Sequence, residues 1–398
     1  MRFSVLIPTR NRLEYLRYAV ETVRRQSYED WEIVIADNAS DEDVAGYVGE
    51  LADPRLIYTR SNDFIPVTDN WNRALERSTG DYVIMLGDDD GLLQDCFTTL
   101  SDLAKRFDEP EAIYLNAYQF AYPGAVAEYP DGYLQPYGYA LFLRGATEPF
   151  VLAPDVASTL ARDVMDFRVR YGFNMQFVAT SRRMIETMSA RGPFYQSAFP
   201  DYFAMNAIFL LAPRIIVCPR PVVVIGISPK SYGHYYQKRQ AATGDQFLGS
   251  FPADVSPELR SLLLPGNSIN NGWLFAADAL ERAFGSEFGL RLNRRRYREV
   301  QMRAMARDAA AGAVDPEQVR DFVSRLTARE RFFFFAARFA SRVARVRLLQ
   351  PVKRVAAKVW HLAGPRFRGG AAQFLPWDPP RVEGRYRSVV DVFEQVRS

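Results

Sequence analysis

The sequence predicts a doubly wound α/β fold: a mostly parallel sheet with helices on both faces, followed by a helical C-terminal region. Three observations predict it. Short β-rich apolar runs alternate with helix-period stretches through the first hundred residues. The four loops that follow the first four strands are polar and three of them hold acids, at the strand ends where parallel sheets bind ligands. From about residue 240 onward the pattern is helical.

Each element follows from its residues. "FSVLIP" is a first strand. "LEYLRYAVETVRRQ" then sets Leu13, Leu16, Val20 and Val23 at helical spacing. "WEIVIA" is a second strand, "DEDVAGYVGEL" a weak helix and "RLIYT" a third strand. "DNWNRALERS" is helical with Asp69 as N-cap, and "DYVIML" is a fourth strand. "LLQDCFTTLSDLAKRF" is helical and "AIYLNA" a fifth strand; repeated βα units of this length argue for a parallel sheet. Residues 117–150, rich in Tyr, Phe, Pro and Gly, read as an irregular insertion or lid. "APDVASTLARDVMDF" is helical, "MQFVAT" a strand, and "SRRMIETMSARG" a helix capped by Ser181 and stopped by Gly192. "DYFAMNAIFLLA" is an apolar helix opening on Asp201, and "RIIVCPRPVVVIGI" reads as strand, proline break, strand.

Composition narrows the class. The chain has 398 residues, 48% hydrophobic, enough for about two or three folded units. Cys96 and Cys218 are too few for a disulfide framework or a zinc cluster and fit a reducing compartment, so a cytoplasmic setting is expected. "MRFSVLIPTRNR" reads as a strand, not a signal peptide, and no apolar run reaches the ~18 residues of a spanning helix. The net charge of +3 hides an asymmetry. Residues 331–377 carry ten Lys or Arg and no acid, which leaves −7 for residues 1–330. Such a segment expects an anionic partner surface.

"GDYVIMLGDDDGLL" ends the fourth strand on Asp88, Asp89 and Asp90. Clustered carboxylates are costly unless a cation neutralises them. Hard divalent ions prefer oxygen, and Mg²⁺ is usually held by one or two carboxylates plus substrate phosphates. The triplet therefore points to a metal, Mn²⁺ or Mg²⁺, shared with a phosphorylated ligand. Gly87 and Gly91 would let backbone come close to it.

Residues 3–105 resemble the nucleotide-sugar-binding half of a family 2 glycosyltransferase with the GT-A fold, on three segments in the right order and spacing. "SVLIPTRNR" resembles the family's opening strand and loop, "WEIVIADNASDED" its second strand, and "ALERSTGDYVIMLGDDD" the approach to its DxD metal motif. The resemblance implies that Pro8, Thr9, Arg10 and Asn11 line the nucleotide site and that Asp37, with Asn38 beside it, reads the base. It implies Asp89 as the main metal-binding carboxylate, with Asp88 and Asp90 on the ribose, the metal or the loop backbone. Asn72 falls at a family position usually preceded by Arg, where this chain has Trp71; Arg10 or Arg73 would replace that diphosphate contact. Gly87 stands where many members have Asp, so the ligand stays open among the three aspartates.

Direct displacement at a sugar carbon needs a base for the acceptor hydroxyl. The resemblance implies Asp201, for which the alternative is that it merely caps its helix; the two roles can coexist. His234, with Lys230, Ser231 and Lys238, would complete the metal or diphosphate site from a loop. "YLNAYQFAYPG" and "YPDGYLQPYGY" are either an acceptor surface or packing. Phe332, Phe335, Phe339, Val343 and Val346 form one helical stripe beside Arg331, Arg338, Arg342 and Arg345, which suits either a helix lying on anionic lipid or one packed on the body.

These readings converge on an inverting, metal-dependent glycosyltransferase in bacterial surface polysaccharide or lipopolysaccharide synthesis. It would take a nucleoside diphosphate sugar and a glycan or lipid-linked glycan acceptor, at the inner face of the membrane, without nucleic acid. A catalytically silent carbohydrate-binding or scaffold protein and a nucleotidyltransferase are the alternatives. The expected division is a catalytic domain at 1–240, split at 105/106 into nucleotide-sugar and acceptor halves, and a helical region at 241–398 with the basic segment 331–377.

Overall fold

The computed structural model describes residues 1–137, 140–143, 145–231, 256–266, 268–343 and 380–396. Its first strands are β1 (Phe3–Thr9), β2 (Trp31–Asp37), β3 (Leu56–Arg60) and β4 (Tyr82–Met85). They are parallel and lie in the order β3-β2-β1-β4. The winding therefore reverses between β1 and β4, a switch point of the kind where open α/β sheets bind ligands. Val5, Leu6, Ile7, Ile33, Val34 and Ile35 are all fully buried, the unbroken apolar run that strands covered on both faces require.

Helices α1 (Leu13–Arg24), α2 (Val44–Leu51), α3 (Val67–Glu76) and α4 (Cys96–Arg106) follow these strands. Asp43 caps α2, accepting from the Gly46 N–H at 2.8 Å. The expected cap of α3 is corrected: the helix starts after Pro66, and Asp69 lies in its first turn, where a negative charge still suits the helix dipole.

The sheet continues through β5 (Gly91–Leu92), β6 (Ala112–Ala121), β7 (Tyr133–Pro136), β8 (Phe150–Leu152), β9 (Val178–Ser181) and β10 (Ile215–Ile227). β9 runs antiparallel between β4 and β6, and β10 is parallel to β6. "RIIVCPRPVVVIGI" is one strand rather than two, because register shifts between Cys218 and Val223 absorb Pro219 and Pro221. Residues 117–150 are also more regular than expected, since they hold the end of β6 and all of β7. Between these strands lie α5 (Pro154–Met165), α6 (Arg182–Ser189) and α7 (Pro200–Leu211). Ser181 caps α6 as expected, at 3.2 Å from the Met184 nitrogen.

Beyond the sheet come α8 (Pro257–Leu262), α9 (Ser268–Phe288), α10 (Arg294–Ala310), α11 (Pro316–Ser324) and α12 (Ala328–Val343). A Cβ on Gly272 of α9 would lie 1.9 Å from the Phe199 ring, so only glycine lets α9 come this close to the start of α7. Met302, Met305, Phe322 and Phe334 form a separate small core under α12.

The C-terminal stretch returns to the sheet. β11 (Val382–Glu383) pairs with β7, and α13 (Val389–Gln395) buries Val389, Val392 and Phe393. A Cβ on Gly91 would meet Val389 at 3.0 Å, so the space beside this glycine is filled by the tail and not by a ligand. Gln94 donates to the Phe393 carbonyl at 2.9 Å, and Arg25 pairs with Glu394 at 2.6 Å. The tail therefore buttresses the strand that follows the triple aspartate. Val389→Ala should cost ~2 kcal/mol from lost burial and a partly unfilled cavity. A urea midpoint equal to wild type would show that α13 is not docked in solution.

Candidate active site

A cleft of about 410 Å³ opens over the C-terminal ends of β1 and β4. Its walls include Thr9, Arg10 and Arg12 after β1, Asp88, Asp89 and Asp90 after β4, and Asp201 at the start of α7. The fold thus gathers side chains nearly two hundred residues apart at the switch point.

At the floor is a buried cluster of charge. Asp88, Asp89 and Asp90 are 3%, 6% and 2% exposed, and Arg12 is 7% exposed. The Arg12 guanidinium bridges two of them, at 2.8 Å from Asp88 Oδ1 and 2.5 Å from Asp89 Oδ2. Thr9 donates to Asp88 Oδ2 at 2.8 Å. Ser228 and Ser231, just past β10, donate their hydroxyls to Asp89 Oδ2. Asp90 accepts from the N–H groups of Gly87 at 2.9 Å and Gly226 at 2.7 Å, and from the Gln176 amide. A Cβ on Gly226 would fall 1.8 Å from the Asp89 carbonyl, so β10 can close on the turn only through a glycine.

Burial pushes the Asp88 and Asp90 carboxyls up; Arg12 opposes this at Asp88, and the charge of Asp89 adds to it at both. At Arg12 burial works against the charge, but the attraction of Asp88 and Asp89 outweighs it and holds the guanidinium above its ordinary value. Breaking one side of such a buried pair typically costs about 3–5 kcal/mol.

The carboxylates do not converge into a cage. Among the described residues no group of three or more His, Cys, Asp or Glu side chains is placed to hold a metal ion. Asp90, an expected ligand, is a strut of its own turn, because both its oxygens accept from N–H donors. Among the described residues Asp89 Oδ1 takes no hydrogen bond. It fits an ion held by one carboxylate oxygen and by donor phosphates. His234 lies outside the described residues.

The other expected residues divide. Pro8, Thr9, Arg10 and Asn38 line the cleft. Arg10 stacks over Phe64 at 3.9 Å, and its buried Nε has no hydrogen-bond partner among the described residues. Asn11 (φ 53°) does not line the cleft; it ties the first loop to the second through Asp41 at 2.7 and 3.0 Å. Asp37 is fully buried behind Asn38, accepting from Ser40 N–H at 2.9 Å and the Tyr58 hydroxyl at 2.8 Å. Asn72 clips the backbone of Tyr195 from both sides, at 2.9 and 3.1 Å, while Trp71 faces the cleft. Arg73 is anchored to the Asp37 carbonyl at 2.8 Å.

Asp201 is not the cap of α7. Phe199 occupies that position, Asp201 is in the first turn, and its Oδ1 accepts from the Tyr202 N–H at 2.8 Å. Burial raises its carboxyl to about 7. Of the two aromatic stretches, Tyr114 and Tyr122 are buried in packing, and Tyr137 reaches the cleft. Sequence reasoning assigned no role to Arg12 or to Gln176, whose position depends on a short 3₁₀ turn at Met175–Phe177. A signal for Arg12 was available: its place three residues past the first strand, opposite an acidic strand end.

Residues 4–157 match the model of "Glycosyl transferase family 2". This region of the chain belongs to glycosyl transferase family 2. Relatives include the GalNAc(5)-diNAcBac-PP-undecaprenol beta-1,3-glucosyltransferase of Campylobacter jejuni, 32% identical over 26% of this chain and 34% of that one. A PGL/p-HBAD biosynthesis glycosyltransferase of Mycobacterium bovis is 34% identical over 23% of this chain and 37% of that one. The chain thus spans about a third of the length of these two relatives. Among solved structures, TarS 1-349 of S. aureus is 16% identical at TM-score 0.45, covering 96% of this chain and 99% of that one. Within the family 2 region lie the strand ends that carry Arg12 and the three aspartates.

The raised Asp201 carboxyl has a stability consequence. The folded protein holds this proton above the ordinary carboxyl range, so stability is full below that range and falls as pH climbs towards about 7. Asp201→Asn removes the effect. Its melting temperature should gain on wild type across that window; parallel curves would mean the carboxyl is not raised.

Proposed function

We propose that the chain is an inverting glycosyltransferase that moves a sugar from a nucleoside diphosphate donor to an acceptor hydroxyl. The acceptor would be a bacterial surface glycan or lipid-linked glycan. One observation carries the reading: a carboxyl raised to about 7 and, among the described residues, without a cationic partner, Asp201, shares a cleft with Arg10 and Asp89. The donor diphosphate would lie along Arg10 and the β4 end, with Thr9 and Asn38 towards the nucleotide. Trp71, Phe173 and Phe199 offer ring faces for sugar C–H groups at the same cleft. Asp201 would take the acceptor proton as the hydroxyl attacks the anomeric carbon, and attack opposite the departing diphosphate inverts that carbon. A Mn²⁺ or Mg²⁺ ion at Asp89 Oδ1 would neutralise charge on the leaving diphosphate. In this reading residues 1–240 make the catalytic unit and 380–396 brace it.

The test is a panel of nucleotide sugars, with and without Mn²⁺, followed by slow hydrolysis of the donor. Asp201→Asn should bind donor as wild type does and lose ~10²-fold or more in transfer. Near-normal turnover in that variant would remove Asp201 as the base, and hydrolysis of no donor would sink the transferase reading.

We also propose that α12 rests on an anionic membrane surface. No helix among the described residues is long and apolar enough to cross a membrane. Phe332, Phe335 and Phe339 are 79%, 50% and 69% exposed, while Phe334 on the opposite side fastens the helix to its own small core. The basic residues that follow, 344–379, lie outside the described residues, and each Lys or Arg near an anionic surface adds ~1 kcal/mol. Replacing all three exposed phenylalanines by Ser leaves α13 in place, which deletion of 331–398 would not. That variant should stay folded and cease to sediment with phosphatidylglycerol vesicles. Sedimentation equal to wild type would remove α12 as the contact.

A further inference from the structure

We propose that Arg12 is a resident counter-cation that makes divalent-ion binding conditional on the nucleotide. The inference rests on reading the cleft as a donor site, and its test can fail separately from that reading. Three consecutive carboxylates, each less than a tenth exposed, would ordinarily attract a free divalent ion. Here their oxygens are already committed. Arg12 spans Asp88 and Asp89, Thr9 holds the second oxygen of Asp88, and two serine hydroxyls hold Asp89 Oδ2. Both oxygens of Asp90 are taken by N–H donors. Among the described residues, an ion arriving alone meets one carboxylate oxygen without a hydrogen bond, Asp89 Oδ1, on a carboxylate that already touches a buried guanidinium.

An ion arriving with a diphosphate meets a different balance. The phosphates bring their own oxygen ligands and negative charge, which outweighs the repulsion from Arg12. Arg12 also holds Asp88 and Asp89 in place across the β1/β4 switch point, at the cleft that Asp89 lines. It acts on the ion through those carboxylates and is a positioning residue. A purely structural ion pair would affect folding stability and leave nucleotide-free ion affinity unchanged when Arg12 is replaced.

The test is Mn²⁺ binding, read from the loss of the free-ion electron paramagnetic resonance signal. Wild-type protein should bind Mn²⁺ weakly alone and about tenfold or more tightly with UDP or GDP present. Arg12→Gln should tighten nucleotide-free Mn²⁺ binding by roughly 10–100-fold, the scale on which partners of metal ligands act. Arg12→Lys, which keeps the cation, should stay near wild type. Equal Mn²⁺ affinity of wild type with and without a nucleotide that binds would overturn the proposal. So would a folded Arg12→Gln protein with unchanged affinity. If that variant does not fold, the wild-type comparison decides. If neither nucleotide binds, the donor-site reading fails, and the Arg12→Gln arm, which needs no nucleotide, still decides the role of Arg12.

Discussion

The structure depends on how one chain can keep three adjacent carboxylates out of water. Asp88, Asp89 and Asp90 sit under a closed fold because Arg12, Thr9, Gln176, two serines and two backbone N–H groups compensate them. Those partners come from β1 and the loop after it, the turn itself, the 3₁₀ turn before β9, and the C-terminal end of β10. The charge cluster therefore specifies how the halves of the sheet meet. Solvated carboxylates would place no such demand, and the halves could then be joined by apolar packing alone, which is far less selective about register.

The parts of the fold that were legible in the sequence are those with local causes. β1 to β4 and their helices follow from apolar period, and the triple aspartate is readable because it ends a strand. Asp201 was readable as a polar residue heading an apolar helix. What was not legible depends on contacts between distant segments. Arg12 looks like any surface arginine until β4 is laid beside β1. Asn72 looks like a cleft residue until the Tyr195 loop folds onto it, and Gly91 looks like a ligand contact until α13 arrives. The prolines in β10 read as breaks because a bulge is paid for by neighbouring strands that the local sequence does not show.

The cleft also shows two opposite uses of burial. At the β4 end burial is offset by dense hydrogen bonding and a cation, which fixes the carboxylates in place. At Asp201 burial meets backbone N–H groups and, among the described residues, no cation, which raises the carboxyl to about 7. Position in the cleft is shared, and in the proposed reading the difference in partners is what separates a binding role from a proton-transfer role.

The docking of α13 beside Gly91 has a consequence for synthesis. About 300 residues separate Gly91 from Val389, and at ~5–20 residues per second a ribosome takes roughly 15–60 s to make them. Over that interval the strand after the triple aspartate has been translated but lacks its brace. The N-terminal region can form its parallel strands early, yet the turn that bears the charge cluster receives its last packing partner only after the tail has left the exit tunnel. A ribosome that stalls between residues 201 and 389 therefore leaves a chain with every acidic residue of the site and an unsupported floor beneath them.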